Sequence, residues 1–115
     1  MRLLPVLAFG LLATIQVKAG DSALISRLAP TLNSAAISEA VAAMKCAQNN
    51  GVGQSASRLA IIDYTIPSRQ RRLWVIDLNN RALLFEEHVA HGQGSGGDIP
   101  NAFSDREGSH QTSLG

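Results

Sequence analysis

Hydrophobic positions recur with a helical period up to about residue 49 and with a strand period from residue 59 onward. Between Ala35 and Asn49, Ile37, Val41, Met44 and Gln48 keep the spacing of one helix face. Asn33 or Ser34 suits the N-cap, and Asn50-Gly51 suits the stop. Ala36, Ala40, Ala43 and Ala47 leave one side slim enough to pack closely on a sheet. One or two helical turns are expected over Ser22–Leu28, with Pro30 either ending them or beginning the next element. After the connector Gly51–Ser57 the spacing predicts strands over Leu59–Thr65, Arg72–Leu78 and Arg81–Ala90. In the second, Leu73, Val75 and Asp77 take one face and Trp74, Ile76 and Leu78 the other. A two-residue turn at Asn79-Asn80 sets Ile76 opposite Leu83, Trp74 opposite Phe85 and Arg72 opposite Glu87. That register predicts an aromatic pair and an ion pair. Both hairpin faces carry large apolar side chains, so the sheet expects cover on both sides.

The start of the chain has a different character. Met1-Arg2 is followed by an apolar run from Leu3 to Ile15, and Val17-Lys18-Ala19 offers small residues at the positions a signal peptidase reads. The run is shorter than the roughly 20 residues of a membrane span, which favours a cleaved secretory signal over a retained anchor. The expected division is a signal peptide over 1–19, a helical region over 20–50, a linker over 51–58 and a β domain over 59–115. The fold class is α+β: an N-terminal helical region packed on an incomplete, mostly antiparallel β domain. Its incompleteness is expected because the last tripeptide, Ser113-Leu114-Gly115, has no tail character.

Charge removes some classes of partner. Without Arg2 and Lys18, eight basic residues face nine acidic ones, a charge of about −1. A nucleic-acid or anionic-membrane partner demands a basic excess, so neither is expected after signal cleavage. The one basic cluster, Arg69-Gln70-Arg71-Arg72, falls beside Glu86 and Glu87 in the predicted register. The single cysteine, Cys46, has no internal partner. In an alanine-rich helix it reads first as core, then as an intermolecular disulfide, and last as a nucleophile.

Candidate chemistry is sparse. Gly92-Gln93-Gly94-Ser95-Gly96-Gly97 fits a dinucleotide pattern at Gly92, Gly94 and Gly97. That pattern needs a helix next, to hold a pyrophosphate, and Asp98-Ile99-Pro100-Asn101 follows instead. The loop reads as a sharp turn beside a cleft. His88 and His91 would point to opposite faces of a strand, too few and too divergent for a metal. Ser109-His110 lacks an oriented carboxylate. No catalytic residue, cofactor or metal ligand is assigned.

Several segments in order carry a resemblance. They are Ala43–Gly51 with Lys45-Cys46-Ala47, Ile62–Ser68, Arg72–Leu78, Val89-Ala90-His91-Gly92, Ser95-Gly96, Ala102-Phe103-Ser104 and Gly108-Ser109-His110 with Ser113-Leu114-Gly115. Together they resemble the front half of the murein L,D-transpeptidase catalytic domain family, the YkuD type. The resemblance implies a mostly β domain in the periplasm or cell envelope, acting on peptidoglycan stem peptides through a cysteine thioester. It implies that the catalytic His-Gly and Ser-x-Gly-Cys segments come later in the family's order than any segment here. Cys46 then matches a helix cysteine rather than the nucleophile, and His91-Gly92 an earlier loop rather than the base. His91, Gly92, Ser109 and His110 are expected to line the cleft.

Three readings follow. The first is an amino-terminal piece of an exported L,D-transpeptidase-like protein, inactive by itself. The second is a small secreted module that binds peptidoglycan without catalysis. The third is a dimer formed through exposed strand edges or Cys46.

Overall fold

The computed structural model describes residues 19–114, so the expected signal peptide lies, but for Ala19, outside the described residues. Two helices precede a three-stranded antiparallel sheet: α1 (Ala19–Leu28), α2 (Ser34–Asn49), β1 (Arg58–Ile62), β2 (Leu73–Asp77) and β3 (Ala82–Glu87), in the order β1-β2-β3. The α+β class and the antiparallel sheet agree with the sequence reading. Among the described residues no helix is long and apolar enough to cross a membrane.

Local chemistry fixes the helix ends. The Asn33 side chain accepts from the Ala35 N–H at 2.8 Å, relieving one of the free donors of the first turn. At the other end Gly51 turns left-handed at φ 80°. Its N–H reaches Gln48 O at 3.0 Å while Val52 N reaches Ala47 O at 2.9 Å, a Schellman close. Along α2, Ile37 and Val41 are buried and Met44 is half-buried, as the spacing requires.

The core lies between the helices and one face of the sheet. Ile25, Ala29, Leu32, Ile37 and Val41 meet Ile61, Trp74 and Ile76. Trp74 and Ile76 share the face that the strand period gives them. On the other face cover is partial. Leu73 and Val75 are half-buried, and Phe85 on β3 is 57% exposed.

The hairpin departs from the predicted register. Asp77 pairs with Ala82 and Ile76 with Leu83 as expected, but a bulge then shifts the ladder, so that Val75 meets Phe85, Trp74 meets Glu86 and Leu73 meets Glu87. Leu84 is the extra residue, and a bulge of this kind re-aims every side chain beyond it. The expected Trp74–Phe85 pair is therefore absent: Trp74 is buried at 1% exposure, and Phe85 faces out. The connection is also longer than two residues. Leu78–Arg81 spans it, and the left-handed residue is Arg81, at φ 54°, not an asparagine.

Asp77 holds that connection. Its Oδ1 accepts from the Asn80 N–H and its Oδ2 from Asn80 Nδ2, both at 2.9 Å. The Asn80 backbone and side-chain hydrogen bonds, helped by the Asn79 N–H and the charge of Arg58, lower the Asp77 carboxyl below its ordinary value against the opposing effect of burial. A depressed carboxyl adds stability that is present above its unfolded value and lost as pH falls through the folded one. Asp77→Asn should therefore separate from the parent in urea midpoint at pH 6 and converge with it below about pH 4. A difference that stays constant with pH would refute this role for the charge.

Candidate functional site

Beyond β1 and β3 the chain forms a cluster around one buried cation. Arg72 precedes β2 in its alternation and so shares the inner face with Trp74 and Ile76, at 0% exposure. Its Nε and Nη2 donate to Val89 O at 3.0 and 2.7 Å, and its Nη1 donates to Ile66 O at 3.1 Å. The guanidinium carbon lies 4.9 Å from the centre of the Tyr64 ring, a cation–π contact. This overturns the Arg72–Glu87 ion pair. Glu87 supplies only its carbonyl, to Arg72 N at 3.0 Å, because the bulge leaves Leu73 opposite it. Arg69 also turns away from Glu86 and pairs with Asp98, an exposed contact that closes the turn at Pro67 onto the later loop. Glu86 is met by Thr31, whose Oγ1 donates to it at 3.4 Å.

Two rings, Tyr64 and His91, meet this cation, and a third, Phe103, lies against Tyr64. Tyr64 contacts His91 edge-on, with centroids 6.3 Å apart, and Phe103 at 6.0 Å. Tyr64 and Phe103 line a cavity of about 570 Å³ together with Ile62, Glu39, Ile99 and Pro100. The cavity lies between the first turns of α2, the end of β1 and the 99–103 loop. Asp63 shapes this end of β1: its Oδ1 takes the Thr65 N–H at 2.9 Å and the Thr65 hydroxyl at 2.6 Å.

The glycine-rich segment folds as backbone packing. A single 3-10 turn, Gln93–Ser95, stands where a nucleotide site would need a helix. A Cβ on Gly92 would lie 2.5 Å from His110 O and 2.6 Å from Thr112 N, and one on Gly94 would lie 2.6 Å from Ser109 O. Gly94 N donates to His110 O at 2.7 Å and Gly92 N to Thr112 Oγ1 at 2.7 Å. Ser95, fully buried, takes the Thr112 N–H on its Oγ at 2.8 Å and the Asn101 and Ala102 N–H groups on its carbonyl. The structure thus brings His91-Gly92 against Ser109-His110 through their main chains. His110 sits at φ 55°, and Ser109 borders a smaller, polar cavity of about 340 Å³ with Ser104, Arg106 and Gln111.

Neither histidine near β3 lies on a strand, because β3 ends at Glu87. His88 Nε2 meets Arg69 O at 3.2 Å. Among the described residues no three of His, Cys, Asp and Glu gather as a metal site. Cys46 corrects the expectation of a core thiol: it is exposed on α2, with Asn50 Nδ2 approaching its Sγ at 3.7 Å. Of the four alanines expected on the packed side, Ala36, Ala40 and Ala47 are half-buried and Ala43 is exposed.

Tyr64, Arg72, Ser95 and Phe103 are the residues that sequence reasoning did not single out for this site. For Arg72 the signal was available, since it shares the parity of Trp74 and Ile76. A family model described as the L,D-transpeptidase catalytic domain matches residues 28–115. No curated protein and no solved structure matches the chain.

Proposed function

We propose that this chain, which belongs to the L,D-transpeptidase catalytic domain family, supplies the scaffold and one cleft wall for cysteine acyl transfer on murein stem peptides. Membership of the family implies peptidoglycan as the substrate. In the reaction a thiolate attacks a peptide carbonyl, a thioester forms as the amine leaves with a proton, and an acceptor amine resolves it. Residues 1–115 do not perform that reaction by themselves. The observation that carries this reading is the position of their one cysteine. Cys46 is exposed on α2, its thiol beside Asn50, and among the described residues no histidine hydrogen-bonds to it to favour the thiolate. The charged start and apolar run within residues 1–19 support export to the cell envelope.

The test uses the chain with purified sacculi and with a stem tetrapeptide plus an amine acceptor. Co-sedimentation with sacculi is expected, unchanged in Cys46→Ser, with no acyl adduct on Cys46 by mass spectrometry. An adduct on Cys46 would overturn the assignment, and failure to sediment would overturn the cleft wall. The alternative, a module that binds peptidoglycan without catalysis, draws support from the open β1 edge and the 570 Å³ cavity. It requires binding that persists when the chain is the only component. Self-association through that edge or Cys46 is read directly by sedimentation with and without reductant.

A further inference from the structure

Arg72 is a fully buried cation whose partners are carbonyls, a ring face and a ring nitrogen. The only ion pair among the described residues is Arg69–Asp98, so no carboxylate neutralises Arg72. Asp63, whose N–H donates to Arg72 O, carries the neighbouring buried carboxylate, but its Oδ1 accepts from Thr65 and it forms no ion pair with the guanidinium. A buried charge with no directly paired carboxylate depends on the dipoles of its hydrogen-bond partners and polarises them in turn. One of those partners is a ring nitrogen. Arg72 Nη2 stands 2.7 Å from His91 Nδ1. A guanidinium only donates, so Nδ1 must accept, and the ring proton resides on Nε2. Nε2 points at Gly96 O at 3.3 Å, longer than the usual 2.9–3.0 Å of such bonds. The ring is half-buried and held edge-on against Tyr64. Beside it Gly97 has open space, with nothing among the described residues within 4 Å of where a Cβ would sit.

We propose that Arg72 and His91 form a carboxylate-binding donor site at the glycine-rich loop. Arg72 fixes His91 as the Nε2–H tautomer, and this N–H takes a ligand carboxylate oxygen in place of the Gly96 carbonyl. A donor already polarised by a cation on its far side favours an anionic acceptor over a neutral one, because hydrogen bonds in a chain strengthen one another and charge-assisted bonds are the stronger class. Arg72 touches no ligand and acts as the positioning residue, while His91 makes the contact. No bond is formed or broken. The site goes beyond the acyl-transfer reading and does not depend on it.

Imidazole nitrogen NMR on the histidine-labelled full chain tests both parts. Nδ1 of His91 should show an unprotonated signal and Nε2 a protonated one. Acetate should move the Nε2 signal saturably, and acetamide should leave it in place. Arg72→Met should mix the tautomers and weaken the acetate response about tenfold or more, whereas Arg72→Lys should restore part of it. Should Arg72→Met fail to fold, His91→Phe, which keeps the ring against Tyr64, carries the test: the acetate-induced shifts of the Gly96 and Gly97 amides must vanish. A proton on Nδ1, an equal response to acetamide, or acetate shifts that survive His91→Phe would each overturn the proposal. None of these outcomes bears on binding to sacculi, so the two readings fail separately.

Discussion

Trp74→Ala is expected to cost about 3–5 kcal/mol, enough to unfold much of the population of a small domain. Trp74 is 1% exposed at the centre of β2, the middle strand, where Ile76, Ile61 and the helix residues Ile25, Ile37 and Val41 form one cluster. Removing the indole leaves a cavity bounded by both helices and the sheet, and a packed interior relaxes into such a space only in part. The control is Phe85→Ala. The sequence register makes Phe85 the partner of Trp74, but at 57% exposure it loses little on truncation, under about 1 kcal/mol. Urea denaturation followed by circular dichroism separates the two. Equal losses for both variants would restore the unbulged hairpin and remove the present account of the core. Trp74→Phe lies between them. It keeps an aromatic ring while deleting the indole N–H, which has no hydrogen-bond partner among the described residues.

The hairpin shows how far periodicity reaches. Alternation puts Trp74 and Ile76 on one face without saying which way it turns; the structure turns that face inward, and the same parity carries Arg72 with it. What periodicity lacks is the count of residues between ladder rungs. One extra residue, Leu84, converts every pair beyond Ile76 into a different pair, and no hydrophobic pattern marks it because Leu83, Leu84 and Phe85 are all apolar. The turn failed for a related reason. Asparagine tolerates positive φ, yet here Asp77 captures Asn80 by both its N–H and its amide, and the left-handed residue falls on Arg81 instead.

The candidate site was less legible than the fold. Its residues lie outside the observed strands: Tyr64, inside the predicted strand Leu59–Thr65, follows the end of β1, His91 follows β3, and Phe103 and Thr112 are joined by an isolated parallel bridge. The spacing of a charge does not tell whether its partner is a carboxylate or a set of carbonyls, so the Arg69–Arg72 run reads as a basic cluster beside Glu86 and Glu87. The burial of Arg72 and the pairing of Arg69 with Asp98 are tertiary facts. Cys46 erred in the opposite direction. An alanine-rich helix suggests a core thiol, but Ala36, Ala40 and Ala47 are the half-buried alanines, while Cys46 is exposed, as is Ala43.

Gly92→Ala should dismantle the loop that the dinucleotide-like pattern first brought to notice. The added Cβ would lie 2.5 Å from His110 O, 2.6 Å from Thr112 N and 2.7 Å from Gln111 C. All three are main-chain atoms, so no rotamer change relieves the collision, and the two segments must separate. Separation breaks the bonds from Gly94 N to His110 O and from Gly92 N to Thr112 Oγ1, and loosens Thr112 N from buried Ser95. Overpacking of this kind typically costs about 1–3 kcal/mol, and here it is joined by the lost hydrogen bonds. Amide exchange at Gly94 and Thr112 should accelerate by roughly tenfold or more, since about 1.4 kcal/mol of lost protection is a factor of ten. Gly97→Ala is the matched comparison: it belongs to the same G-x-G-x-x-G pattern but has nothing among the described residues within 4 Å of its Cβ. Were the pattern a phosphate cradle, substitution at Gly97 should matter as much as at Gly92. The packing account requires that Gly97→Ala leave exchange unchanged, and equal acceleration by both substitutions would sink it.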